Sequence, residues 1–325
     1  MTPTGPQLSP WRRWRRRFYH RLLKLVLFGA EHSSLRVGRA QGRLLARLAW
    51  SLRPAERQRA LAHLGWAFPE LDSTQRRALL RRSTRLLGEN LHDSLAAPAL
   101  LQRPGFLREE ALQARPSLAE ELRTLAAGGR GVVILTGHIG CWELVGAEVA
   151  RQVQAAGLGP LGVVTGTIHN PAVDRLVQER RQRLGMKVLP REQGAGPVLK
   201  HLREGGIVAV LLDQNTRTDN VPAPFFGRPA PTPAGLARMA LRYGLPVLPV
   251  ALARVGEGHE IRRGDVRRPA AGCSGDETAV REFLSWCNAQ LEFFIRRNPE
   301  EWVWFHQRWQ DDEPRGPRPL TREEE

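Results

Sequence analysis

The sequence predicts an α/β fold: a mostly parallel, mixed sheet flanked by helices and preceded by an N-terminal helical region. Two observations carry this. After residue 130, short apolar runs bounded by glycine recur at 132–135, 161–164, 207–212 and 247–252, and helical stretches at 142–156, 171–184, 196–203 and 234–243 alternate with them. Before residue 125 the texture differs. Leu44, Leu45 and Leu48, then Leu79, Leu80, Leu86, Leu87, Leu91 and Leu95, recur at helical spacing with arginines on the remaining faces.

Taken in order, the chain opens on a basic stretch, Trp11 to Arg17, followed by a mostly apolar one from Leu22 to Ala30. That run contains Lys24, falls short of the ~20 residues a spanning helix needs, and lacks a small-residue cleavage site. Residues 1–30 are therefore read as a basic amphipathic segment on a membrane surface, with Trp11, Trp14, Phe18 and Tyr19 at headgroup level. Residues 31–125 form a helical region, punctuated by Pro54, Pro69 and Pro98, in which Asp72 and Ser73 start a helix over 74–90. Residues 126–310 form the α/β domain, closed by a helix over 277–297. The charged, proline-containing tail, 311–325, is expected to be disordered.

Charge narrows the partners. The 325 residues carry 49 basic against 33 acidic side chains, a net charge of +16, and only Lys24, Lys187 and Lys200 are lysines. Guanidinium forks match phosphates and carboxylates, so an anionic partner is implied: nucleic acid, an anionic membrane or a phosphorylated substrate. The arginines are scattered over helices rather than grouped with aromatics in a groove-reading module, which argues against nucleic acid. Cys141, Cys273 and Cys287 stand apart without metal-ligand spacing, so no metal is expected and the thiols read as reduced.

The segment from Val132 to Leu144 holds the clearest chemistry. A buried strand ends at Thr136, Gly137 permits a turn, and His138 emerges where the next helix begins. Glu143 follows five residues later. On a continuous helix the two would point about 140° apart. They meet only if His138 sits in the turn and Glu143 in the first helical turn, a bend that Gly137 and Gly140 allow. The expected result is a His138–Glu143 dyad: a neutral imidazole able to take a hydroxyl proton, with a carboxylate to stabilise the imidazolium. Cys141 reads as a small buried residue in preference to a nucleophile.

These residues resemble the His-x4-Asp/Glu signature of the glycerolipid acyltransferases. Gly-His-x-Gly-x-Trp-Glu at 137–143 is similar to the lipid A biosynthesis late acyltransferases, the lauroyl and myristoyl transferases. The likeness continues through Asn170-Pro171, Asp174, Arg181, Arg183 and Gly185. It then passes through Asp213-Gln214, the Val221 to Gly227 block with Thr232, Pro246 to Pro249, and the closing segment Pro299 to Trp309. Its order and spacing hold from about residue 55 to 310. The convincing N-terminal transmembrane helix that members commonly carry is a point of departure.

The resemblance implies an acyltransferase that moves a fatty acyl group from a thioester, on acyl carrier protein or coenzyme A, to a hydroxyl of a membrane glycolipid. A lipid A precursor is the expected acceptor and the cytoplasmic face of the bacterial inner membrane the expected location, with peripheral or monotopic attachment. No further cofactor is implied. Arg181, Arg183 and Arg191 are candidates for a phosphate or for the donor's phosphopantetheine, with solvated arginines as the alternative. Asn170, Asp213 and Gln214 join them as substrate-binding candidates. Asp213 lies at the same sheet edge as His138, where it can bind hydroxyls, orient an arginine or cap a turn. Trp142, Phe225 and Phe226 are candidates for an acyl groove, although the Phe pair equally suits a core plug. Trp302, Trp304 and Trp309 read as partly strand-like packing residues, and His306 and Arg308 as structural. The other readings are acylation of a lysophospholipid, glycolipid mannoside or ornithine lipid, or a basic nucleic-acid- or membrane-binding protein without catalysis. The Pro-Glu-Gly motif of the glycerol-phosphate branch is missing from the sequence.

Overall fold

A computed structural model describes residues 28–29, 32–111, 115–168, 170–216, 219–272 and 276–310. The expected membrane segment up to residue 27, the expected tail at 311–325 and Cys273 lie outside the described residues.

Three helices come first: α1 (Leu35–Ser51), α2 (Pro54–Ala67) and α3 (Ser73–Leu95). Asp72 starts α3 as the sequence predicts. Its carboxylate accepts from Thr74 N at 2.7 Å and Gln75 N at 2.9 Å, while the Gln75 side chain takes the Asp72 amide, so the cap is reciprocal. Gly42 and Gly88 mark where α1 crosses α3. A Cβ at Gly42 would lie 2.0 Å from the Gly88 carbonyl oxygen, and one at Gly88 would lie 2.3 Å from that of Gly42. The two backbones touch there, with no room for a side chain.

The α/β part runs β1 (Leu107–Glu109), α4 (Leu118–Ala126), β2 (Val132–Thr136), α5 (Trp142–Ala155), β3 (Leu161–Thr165), α6 (Pro171–Arg183), β4 (Met186–Pro190), α7 (Gly196–Arg203), β5 (Ile207–Leu211), β6 (Asn220–Phe225), β7 (Arg228–Pro233), α8 (Gly235–Tyr243), β8 (Val247–Val255), β9 (Gly258–Arg263) and α9 (Glu277–Arg297). Seven strands form one sheet in the order β1-β9-β8-β2-β5-β3-β4. All neighbours are parallel except β8 and β9, so the sheet is mixed and mostly parallel, as expected. The central strand β2 is buried along its whole length. Val132 and Ile134 pack towards α4 and α5, whereas Val133 and Leu135 pack towards α8, α9 and the C-terminal tryptophans. Burial on both faces is why the strand reads as an unbroken apolar run.

The proline-rich block forms a ribbon. β6 and β7 pair as an antiparallel hairpin in which Pro222 faces Pro231 and Pro224 faces Pro229. The missing N–H groups thus fall on the same alternate pairs of the ladder, where they cost least. Phe226 (φ 49°) and Gly227 (φ 72°) make its two-residue turn, both in the left-handed region. An aromatic residue tolerates that backbone only when held. Here Glu292 accepts the Phe226 amide at 2.8 Å, and the Arg296 guanidinium lies 4.7 Å from its ring.

Candidate active site

His138 is placed by its strand and held by a different carboxylate from the one expected. Thr136 on β2 pairs in register with Leu211 on β5. Two residues beyond each lie His138 and Asp213. The Asp213 carboxylate receives three donors: His138 Nδ1 at 2.9 Å, the His138 backbone amide at 2.7 Å and the Trp302 indole N–H at 2.8 Å. Burial pushes this carboxyl up, but the charge of His138 and the three hydrogen bonds outweigh it and hold the group at about 2. Asp213 is therefore an ionised, 1 % exposed anchor for an imidazole that is 22 % exposed. With Nδ1 committed to Asp213, Nε2 is the nitrogen left to act.

Close packing of the turn leaves no slack. A Cβ at Gly137 would come 3.0 Å from the Asp213 carboxyl carbon, and one at Gly140 (φ 63°) would come 2.3 Å from the Leu252 carbonyl oxygen. The Gly140 amide donates to Glu301 O at 2.9 Å, and Ile139 bridges to Trp302. The chain end after α9 thus clamps the turn and supplies the indole. Trp302, Trp304 and Trp309 pack as a buried aromatic cluster rather than a strand, with Trp302 and Trp304 rings 4.6 Å apart.

The expected His138–Glu143 dyad needs correction. Glu143 sits in the first turn of α5, as predicted, but its carboxylate is forked by Arg181 on α6 through Nε at 3.1 Å and through a second, shorter contact from Nη2. The reason is topological. β2 and β5 are adjacent strands whose ends bring Asp213 under the imidazole, while α5 turns Glu143 towards α6. Trp142 meets the His138 ring edge-on at 4.9 Å. Trp142, Glu143 and Arg181 all line a cavity of about 530 Å³ walled by apolar residues of α1, α3 and α6, including Leu45, Leu91, Val177 and Leu184. The same three residues also line a narrower cleft of about 50 Å³ between α5 and the sheet.

Other candidates fall apart from this centre. Asn170 is the N-cap of α6, accepting from Ala172 N at 3.0 Å and Val173 N at 3.4 Å. Arg183 is exposed at the end of that helix. Arg191 lines a separate cavity of about 440 Å³ at the carboxyl ends of β3 and β5. Gln214 is half-buried beside Asp213. Phe225 and Phe226 take the core-plug place of their two readings: both are buried against Trp302, Trp309 and Phe68 and line none of these cavities. Arg308 is structural, fully buried and donating to Thr232 Oγ1 at 2.8 Å and Asn288 Oδ1 at 3.1 Å; burial holds it down to about 10. Burial also lowers the pKa of His306, which lies within the electrostatic reach of Asp213 and His138. Cys141 is buried against Ser94 and Asn90, and burial pushes its thiol up to about 12, so it is no nucleophile.

The family model for bacterial lipid A biosynthesis acyltransferases matches residues 6–311, nearly the whole chain. The chain belongs to this family. Among its curated relatives, a phosphatidylinositol mannoside acyltransferase of Mycolicibacterium smegmatis is 26% identical over 185 residues, 56% of this chain and 57% of that protein. The chain thus spans somewhat over half the length of that relative. A lipid A biosynthesis acyltransferase of Haemophilus influenzae is 25% identical over 259 residues, 78% of this chain and 75% of its own. A lipid A biosynthesis lauroyltransferase of Escherichia coli is 26% identical over 267 residues, 80% of this chain and 81% of its own. In this chain His138 occupies the turn after a buried strand, and its imidazole leans on Asp213 rather than on Glu143.

Proposed function

We propose that this family member transfers a fatty acyl group from an acyl thioester, carried by acyl carrier protein or coenzyme A, to a hydroxyl of a membrane glycolipid, a lipid A precursor. His138 Nε2 takes the hydroxyl proton as the oxygen attacks the thioester carbonyl. The new C–O bond forms, the C–S bond breaks, and the same proton passes to the departing thiolate. Asp213 fixes the imidazole and stabilises the imidazolium formed on the way. Glu143 and Arg181 form the polar rim of the apolar cavity, where Arg181 offers N–H donors to developing negative charge.

One observation carries the reading: an aspartate-held imidazole with a free nitrogen, touching a tryptophan that lines an apolar cavity of about 530 Å³. Each methylene buried there contributes roughly 0.8 kcal/mol, so such a space selects acyl chains. The match to the mannoside acyltransferases favours a second acceptor of the same class, a glycosylated phospholipid.

The exposed face of α1 supports attachment to the bilayer. Val37, Leu44, Leu48 and Leu52 recur along one exposed stripe of this helix, with the exposed Arg47 beside it, and Leu45 lines the cavity mouth. Among the described residues no helix is long and apolar enough to cross a membrane. Laying that stripe on an anionic leaflet opens the cavity to lipid without lifting the substrate's chains into water. The deciding experiment incubates the purified full-length protein with acyl carrier protein or coenzyme A thioesters and with lipid A precursors or mannosylated phospholipids, and reads products by mass spectrometry. Transfer to none of the glycolipids while a soluble acceptor is acylated would overturn the proposal.

A further inference from the structure

A second cavity, of about 570 Å³, lies on the other side of the α1–α3 crossing from the apolar one. It is lined by six arginines: Arg36, Arg39 and Arg43 from α1, Arg82 and Arg85 from α3, and Arg254 from β8. Glu89, Glu257 and Glu300 also line it, so six positive charges less three negative leave an excess of three. Asp93, behind the wall, takes bonds from Arg39 and Arg254 and reduces the excess to two. Much of this charge is already organised. Arg39 forks Asp93 at 2.9 and 2.6 Å, and Arg43 and Arg85 each reach Glu89 at 3.0 Å. Two arginines are not used up. Arg82 is exposed and makes no ion pair among the described residues. Arg254, with a side chain only 9 % exposed, has Nη2 on Asn90 at 2.6 Å and on Asp93 at 3.1 Å and Nε 3.8 Å from Glu89, while its buried Nη1 has no hydrogen-bond partner. A buried guanidinium N–H left unmatched is costly unless something else accepts it.

We propose that this arginine cavity is a phosphate-binding site, distinct from the His138 pocket and shaped for a phosphomonoester dianion. The excess of arginine over carboxylate in the lining suits the dianionic charge of a phosphomonoester near neutral pH. Guanidinium forks converging from three elements suit a tetrahedral oxyanion, which offers several acceptors, better than a single carboxylate. The cavity is roomy enough for a phosphorylated sugar or glycerol headgroup as well as for free phosphate. Arg254 also bonds Asn90, whose backbone carbonyl accepts from Cys141 in the catalytic turn and which lines the apolar cavity, so a phosphate here sits one residue away from the acyl site.

The test is calorimetric titration of the full-length protein with inorganic phosphate at constant ionic strength, with chloride as the control anion. Because it reads binding alone, its outcome is independent of whether acyl transfer occurs. Saturable phosphate binding that weakens roughly 10-fold or more in Arg254→Met, and several-fold in the rim pair Arg36→Ala with Arg82→Ala, is the expected result. If Arg254→Met does not fold, the rim pair alone decides, since both of its side chains are exposed. Phosphate binding no stronger than chloride binding, or unchanged in the rim pair, would overturn the site. A competition arm identifies the source. Displacement of phosphate by phosphatidylcholine vesicles doped with phosphatidic acid, but not by undoped vesicles, assigns the site to a lipid headgroup; binding without displacement assigns it to a soluble phosphate.

Discussion

Asp213 and Asp93 are both buried carboxylates with histidines bonded to them, and they do opposite things. Asp213 holds His138, whose side chain is 22 % exposed and meets Trp142, a residue that lines the apolar cavity. Asp93 holds His259, whose ring is fully buried, together with His92, Arg39 and Arg254. Burial pushes both carboxyls up, and their hydrogen bonds bring both well below the usual range. The difference lies on the histidine side. Burial depresses the pKa of His259, and its second nitrogen faces no partner among the described residues, so the pair ties α1, α3, β8 and β9 together. A carboxylate–histidine pair becomes chemistry only where the far nitrogen meets space that a substrate can enter.

Four substitutions sharpen that contrast. His138→Ala removes the base and should lower acyl transfer by ~10²–10⁴-fold, with an unfolding curve close to the parent's; near-normal turnover in the folded variant would assign the proton transfer elsewhere. Asp93→Ala should do the reverse. Removing the carboxylate that pairs Arg39, and that Arg254 uses alongside Glu89, in a buried site costs about 3–5 kcal/mol, read as a lower denaturation midpoint, with catalysis intact in whatever remains folded. Asp213→Asn should cost roughly 10²-fold in turnover, because the amide no longer stabilises the imidazolium. Trp302→Phe removes one of three donors and should give the smallest change, about 1–2 kcal/mol in stability with a several-fold rate loss.

Acid titration separates the same pairs. The Asp213 carboxyl falls from 3.8 to about 2 on folding, so its contribution is complete above pH ~4 and disappears as pH drops through about 2. Linkage puts that contribution at roughly 2–3 kcal/mol. Asp213→Asn should therefore flatten the stability profile between pH ~4 and ~2. An unchanged profile in the variant would mean that the carboxylate is not the acid-sensitive element.

The sheet was largely legible because its central strands are buried apolar runs with glycine at one end or the other: the runs at 132–135, 161–164, 207–212 and 247–252 became β2, β3, β5 and β8 within a few residues. β9 hid because Gly-His-Glu-Ile-Arg-Arg holds one aliphatic residue, and two of its three buried positions are the polar His259 and Arg263. The β6–β7 ribbon hid behind five prolines, since proline ordinarily argues against strand. His138 was found from its turn. Its partner is hidden because spacing along the chain reaches only five residues ahead, to Glu143, while Asp213 is 75 residues away and arrives by strand adjacency. The signal available was that Asp213 stands one residue past a buried apolar run, just as His138 stands two past Thr136. Which runs are neighbours is a property of the folded sheet, and no periodicity reports it.

At the contact between Gly42 and Gly88, two bare helix backbones are all that stand between an oily compartment and an ionic one. No side chain insulates them, so the spacing of two helices sets the dimensions of both rooms at once. Enlarging either glycine would wedge the helices apart, lengthening the chains the apolar side accepts while spreading the guanidinium forks on the other. On the readings proposed above, acyl length and grip on an anion are geared to one another through the crossing, and one is retuned alone only at far-wall positions such as Val177 and Leu184.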